Sequence, residues 1–363
     1  MSRNVVDAAI RLAYRHRRIV MIIASRSQVE SEDFGCGYVE GWSTASFISY
    51  IRSMDPASLI QICRDHGGPW QHPAETSGRL GEAQVMSRSL GSLLQDIEHG
   101  ANIIHIDTSR EADGPAPFEQ AISRLVKLYG ECDQFARAHS KKIRFEVGLE
   151  QQSDAVDDPK KFRTKLTRIL EELQFESLPL PTFVVGQTGT KVVGTENRGQ
   201  LVSDPAGVGV EINQLAKICW EHGVALKAHN SDYLPSRVMS HLMINGVDAL
   251  NIAPEYGVAE TKAFLGLLEE LGLTRLRDEF LALAYDSGSW RKWFDGENAT
   301  DLERSIAAGH YVFATDAFRD IKRQADVACQ GIATTVDAVL GAALDTVMER
   351  HAAGVWYCAD KET

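Results

Sequence analysis

The chain has no Cys-x-x-Cys pair; its six cysteines are scattered at Cys36, Cys63, Cys132, Cys219, Cys329 and Cys358. Such open spacing excludes a zinc ribbon and a dense disulfide framework, and fits free thiols in a reducing compartment. Neither Gly-x-Gly-x-x-Gly nor Gly-x-x-x-x-Gly-Lys-Ser/Thr occurs, so a nucleotide-cradling open sheet has no motif to support it. No apolar run reaches the length of a membrane-spanning helix, and no signal-peptide pattern opens the sequence, so a cytoplasmic protein is expected. Positive charge is scarce: 38 Lys and Arg against 50 Asp and Glu leave a net charge of −12. That balance argues against nucleic acid or an anionic membrane as partner. A sugar phosphate is still allowed, because it needs just one local positive site. No internal repeat or low-complexity tract appears.

What is present is a 363-residue chain, 44% hydrophobic and 24% charged, with enough apolar residues for a sizeable core. Short runs rich in β-branched and aromatic residues recur at 18–24, 59–66, 102–108, 142–150, 182–187, 224–229 and 249–253. Helical patterns lie between them at 43–53, 83–98, 117–139, 159–173, 212–222 and 236–244. This alternation predicts a parallel sheet with crossover helices, and seven such strands point to a (β/α)8 TIM-type barrel rather than an open sheet. After about residue 260 the strand signal stops. Residues 1–260 are expected to form the barrel domain and 261–363 a helical C-terminal extension carrying Trp290, Trp293, Phe294, Tyr311, Phe313 and Phe318.

Two strand-end tripeptides carry chemistry. Arg64-Asp65-His66 follows Leu59-Ile60-Gln61-Ile62-Cys63, and Lys227-Ala228-His229 follows Val224-Ala225-Leu226. In a parallel barrel the C-terminal strand ends share one pocket, so two histidines delivered there point to a divalent metal, and Asp65 to an acid-base partner. Satisfied polar residues at loop starts would give the same pattern. Lys227 shares the strand face of His229; a Schiff-base amine and a salt bridge to Glu150 or Asp107 are its two readings, the salt bridge being favoured. His105, in mid-strand, reads as a weaker ligand candidate or a buried structural histidine.

Several stretches resemble, in order, the D-tagatose-1,6-bisphosphate aldolase accessory subunit (KbaZ/GatZ-like) family. They are Ser27-Gln28-Val29, Gly35-Cys36-Gly37-Tyr38, Asp65-His66-Gly67-Gly68-Pro69, Ile104-His105-Ile106-Asp107-Thr108-Ser109, Gln187-Thr188-Gly189, Ala228-His229-Asn230-Ser231-Asp232-Tyr233 and Trp290-Arg291-Lys292-Trp293-Phe294. The resemblance implies a barrel of the class II, metal-dependent aldolase superfamily. It also implies His66, His229 and a glutamate as metal ligands, and Asp65 as the proton carrier. For the glutamate, Glu150 is preferred to Glu146, which shares its strand face and would otherwise be a polar residue paired inside the barrel. Asp107, Gln187, Ser231 and Asn251 are candidate substrate contacts; Asp107 would equally serve as a helix cap.

The chain also departs from the catalytic relatives. Gln187 stands where they have a histidine, Asn251-Ile252-Ala253 replaces an Asn-Ile-Asp segment, and Asn230-Ser231-Asp232-Tyr233 replaces a Gly-Gly-Ser-Gly phosphate loop. Asp232 beside a phosphate dianion is unfavourable, so a less phosphorylated sugar is easier to accommodate than a bisphosphate.

The expected function is metal-dependent aldol chemistry on a sugar or sugar phosphate through an enediolate, with zinc the first choice of ion. The alternative is a non-catalytic subunit that stabilises a catalytic tagatose-bisphosphate-type aldolase; a sugar-binding or epimerising barrel is a third. A homo-oligomer without nucleic-acid or membrane partners is expected. The family's first strand has no counterpart ahead of the helix near Asn4. Something must therefore fill that gap: the segment Val355-Trp356-Tyr357-Cys358 as a strand, the helical extension, or a second subunit.

Overall fold

Seven parallel strands pair in strict chain order: β1 (Val20–Ser25), β2 (Ile60–Asp65), β3 (Ile103–Asp107), β4 (Arg144–Gly148), β5 (Phe183–Gly186), β6 (Ala225–Ala228) and β7 (Ala249–Leu250). The computed structural model describes residues 1–78, 80–148, 153–294, 296 and 298–356. Each of the seven expected strand segments forms its strand, with ends that differ by one to a few residues among the described residues. All of β3 is buried, as a strand packed on both faces must be.

Helix α1 (Arg3–His16) precedes β1, and the six crossover helices are α2 (Thr44–Met54), α3 (Glu82–His99), α4 (Phe118–Ala138), α5 (Pro159–Phe175), α6 (Gly209–Glu221) and α7 (Ser236–Ile244). Their starts follow from local chemistry. Ser2 and Ser43 accept from the free amides of Val5 and Ser46, and Asp158 caps a helix that opens on Pro159. Each lays an apolar stripe on the sheet; in α1 it is Val5, Val6, Ala8, Ala9, Ile10, Leu12 and Ala13.

The extension continues with α8 (Pro254–Glu270), α9 (Thr274–Asp286), α10 (Asp301–Ala308), α11 (Asp316–Cys329) and α12 (Val336–Trp356). Phe264, Phe280, Val312, Phe318, Ile321 and Leu340 form a second apolar core there, while Leu344, Met348 and Ala352 of α12 join the barrel core. Among the described residues no single helix is long and apolar enough to cross a membrane, and all five described cysteines are free.

Among the described residues an eight-strand ring is not formed. β1 and β7 are the two edges of the sheet, yet both line one cavity, so the sheet curls without closing. The opening between them is faced by α1 and by α12, which packs against α1, α7 and α8. Arg11 pairs with Asp345 at 2.8 Å and His16 with Glu349 at 2.8 Å, fixing α12 to α1. The expectation of a C-terminal strand is overturned: Val355 and Trp356 continue α12, while Tyr357 and Cys358 lie outside the described residues. Tertiary contacts override the strand-like composition. Ser240 Oγ donates to the Gly354 carbonyl at 2.8 Å, and Trp356 packs on the ring of His16 at 5.1 Å. Of the three candidates for the gap, the helical extension supplies the cover, together with α1.

Candidate functional site

At the C-terminal ends of the strands three imidazoles meet. The ring centroids of His66, His105 and His229 lie 5.2, 5.4 and 5.7 Å apart. β2 and β6 deliver Asp65 and His229 at their ends. β3 and β4 deliver His105 and Glu146, which are register partners. His105 and Asp107 are two residues apart, so both project to the barrel interior.

His66 turns out of β2 in the left-handed region, at φ +45°, a conformation that costs a side-chain-bearing residue of order 1 kcal/mol. Its loop presses against β3: the Gly67 amide donates to the His105 carbonyl at 2.9 Å. A Cβ at Gly68 would lie 1.6 Å from the Asp107 carbonyl oxygen, which explains the glycine there. Beneath it, buried Arg26 donates to the Gly68 carbonyl at 3.3 Å and pairs with Glu30 and Glu75.

The electrostatics are tightly coupled. His66 Nδ1 is 2.5 Å from Asp107 Oδ2. Burial opposes the His66 charge, but attraction to Asp65 and the Asp107 bond outweigh it and raise the imidazole to about 9. Burial likewise opposes charge on Asp65, Asp107 and Glu146. The histidines hold both aspartates well below the usual range, and Lys227 with His105 holds Glu146 down at about 2. His229 is lowered, chiefly by burial.

Lys227 Nζ donates to Glu146 Oε2 at 2.7 Å. The expected salt bridge exists, but its partner is Glu146 rather than Glu150 or Asp107. Burial is outweighed by Glu146, so the ammonium is raised, the wrong direction for a Schiff-base nucleophile.

Four buried atoms of this cluster have no hydrogen-bond partner among the described residues: Asp65 Oδ1, His105 Nε2, Glu146 Oε1 and His229 Nε2. Buried polar atoms are seldom left so. One ligand atom each from Asp65, His105 and His229 lies within 4.8 Å of the others, and the same holds for His66, His105 and Asp107. Such a donor set, imidazole and carboxylate, suits zinc or a similar ion. His66 has the arrangement typical of a metal-bound histidine, one ring nitrogen held by a carboxylate and the other facing the cluster.

The structure thus brings together Asp65, His66, Asp107 and His229, and adds His105 and Glu146. Glu150 lies outside the described residues. Asp107 is engaged by His66 and by the Ser109 amide at 2.9 Å, a turn-capping bond, and does not line the cavity. Gln187 is buried with its Oε1 accepting from the Ser153 amide at 3.2 Å, and is not on the cavity wall. Ser231 is fully buried, its amide bonded to the Asn251 carbonyl, whereas Asn251 does line the cavity. His105, the weaker ligand candidate in the sequence, lies at the centre of the cluster, its two-residue spacing from Asp107 placing both on the inner face. What the sequence missed was the far wall: Lys292, Trp293 and Tyr311 of the extension face the same cavity of about 520 Å³ as Asp65, His66 and His229.

No protein-family model and no curated protein sequence matches the chain. Among solved structures it is similar to a probable tagatose 6 phosphate kinase from Sinorhizobium meliloti 1021, at 18% identity and a TM-score of 0.76 over 97% of each chain. It is also similar to the glycerol-complexed fructuronate-tagaturonate epimerase UxaE from Cohnella laeviribosi, at 11% identity and a TM-score of 0.51 over 85% of this chain and 70% of that one. At these identities the likeness is one of fold, and the chain shares the fold of the Sinorhizobium meliloti protein over nearly its whole length.

Proposed function

We propose that the chain performs class II-type aldol chemistry on a ketose or ketose phosphate, with a divalent ion, zinc first, as cofactor. One observation carries this reading: orphaned donor atoms of His105, His229, Glu146 and Asp65 converge at the C-terminal rim of a parallel barrel. His66, His105 and His229 would hold the ion, with the Glu146 carboxylate beside His105 and His229 as the further donor. A bound dication there would polarise a ketose carbonyl and stabilise the enediolate left by C–C cleavage.

The protein's own residues account for the rest. Asp107 fixes the His66 ring through Nδ1. Asp65, on the cavity wall, takes the substrate hydroxyl proton in cleavage and returns it in condensation. Asn251 offers an amide to the sugar hydroxyls. The sugar class agrees with the sequence resemblance, with the tagatose phosphate named for the Sinorhizobium meliloti protein, and with the keto-uronates named for UxaE.

A second reading, a non-catalytic subunit supporting a separate aldolase, draws on two observations. Lys227 already neutralises Glu146. Gln187 is tied into a loop away from the cavity. A cytoplasmic homo-oligomer is compatible with either reading.

The deciding experiment combines metal analysis of purified protein with retro-aldol and α-proton exchange assays on a panel of ketose phosphates. The enzyme reading expects bound zinc, lost in His66→Ala and His229→Ala, and turnover lost in Asp65→Asn with zinc retained. Wild-type zinc content in both histidine variants would remove the metal site. An inert chain that raises the activity of a co-expressed aldolase would establish the second reading.

A further inference from the structure

The Trp290-Arg291-Lys292-Trp293-Phe294 motif is unused by the metal chemistry, yet it is built into the cavity. The Trp293 carbonyl accepts from the Gly194 amide at 2.6 Å, so the extension is fastened to a barrel loop. The Trp293 indole donates to the Tyr311 hydroxyl at 3.2 Å, and Tyr311 packs on Tyr38 with ring centroids 5.3 Å apart. Lys292 reaches into the cavity over these rings, its Nζ 4.3 Å from the Tyr311 centroid and 5.1 Å from that of Trp293. No carboxylate pairs with it among the described residues. Crowding by the apolar rings pushes the amine down to about 8, so an incoming anion would restore what desolvation takes away.

The opposite candidate for an anion is already filled. The amino terminus of α8 faces the cavity through Ala253 and Pro254. Asp232 Oδ1 accepts from the Ala253 and Glu255 amides, both at 2.9 Å. A phosphate would therefore find those donors taken and a carboxylate in their place.

We propose that Lys292 is the anion-recognition residue of this cavity. It receives the terminal phosphate or carboxylate of a ketose whose carbonyl end lies at the histidine cluster. The assignment rests on the proposed function for the sugar but not for the anion, and it makes the substrate class a ketose with one anionic group, held across the cavity mouth by the extension.

The test is calorimetric titration of the full chain with a phosphorylated ketohexose, a keto-hexuronate and the neutral ketohexose, on wild type, Lys292→Gln and Lys292→Arg. Wild type should bind one of the anionic sugars at least about tenfold more tightly than the neutral one, the increment of one charge-assisted contact. Which sugar gains identifies phosphate or carboxylate. Lys292→Gln should bring the anionic sugar down to the neutral sugar's affinity while leaving the latter unchanged, and Lys292→Arg should keep most of the difference. Unaltered discrimination in Lys292→Gln, or equal binding of charged and neutral sugars by wild type, would overturn the assignment. Where wild type binds no sugar, inorganic phosphate decides. Phosphate binding that disappears in Lys292→Gln supports the anion site while the sugar reading falls, and absence of phosphate binding by wild type ends the proposal.

Discussion

Lys227 and Glu146 sit 2.7 Å apart with side chains 3% and 2% exposed, so each depends on the other for its charge. Glu146→Leu strands a buried ammonium and should cost about 3–5 kcal/mol in urea unfolding, with Glu146→Leu/Lys227→Met recovering most of it. Equal stability of the single and double variants would show that Lys227 finds another partner. Zinc content should be low in both, because the carboxylate is gone in both. At this scale the site was legible wherever a reactive residue ends a strand, as Asp65, His66 and His229 do. It was less legible inside strands. His105 looks like a core residue until its two-residue spacing from Asp107 is followed inward. The choice between Glu146 and Glu150 depended on how far β4 runs, which spacing alone does not fix.

Element by element, the strands were readable because each is a short β-branched run followed by a polar turn. The helices were readable because caps such as Asp158-Pro159 mark their starts. What failed was the C-terminus. Gly354-Val355-Trp356 has strand composition, but a Cβ at Gly354 would lie 2.8 Å from the Ser236 carbonyl oxygen, and that close crossing with α7 keeps the segment helical. The cap of α8 gives a pH test. Burial raises Asp232 to about 7 against roughly 3.9 unfolded, so its contribution to stability is whole below about 3.9 and fades as pH rises through 7. Asp232→Asn keeps the acceptor for both amides and removes the charge. Its melting temperature should match wild type near pH 4 and exceed it at pH 8; an equal gap at both pH values would place the effect elsewhere.

Over the whole molecule, α12 joins two apolar cores. Leu340 belongs to the extension's core, and Leu344, Met348 and Ala352 to the barrel's. Buried His351 reinforces the joint, 3.0 Å from Glu255 of α8. The two cores should therefore unfold together. In urea, tryptophan fluorescence, whose six reporters are shared between the barrel (Trp42, Trp70, Trp220) and the extension (Trp290, Trp293, Trp356), and far-ultraviolet circular dichroism should give coincident midpoints, and Phe280→Ala should shift both by the same amount. Separated transitions would show independent folding units.

The unjoined edges of the sheet have a consequence of their own. In a closed ring, strand number and stagger dictate the bore. Here the distance from Val20 to Ala249 is spanned by side chains of α1 and α12, so it is a spacer and not a lattice constant. Thinning or thickening those two helices retunes the diameter of the chamber while all six strand pairings and the histidine cluster remain as they are. The width of the chamber and the chemistry inside it are thus written on different parts of the chain, and each is free to vary without the other.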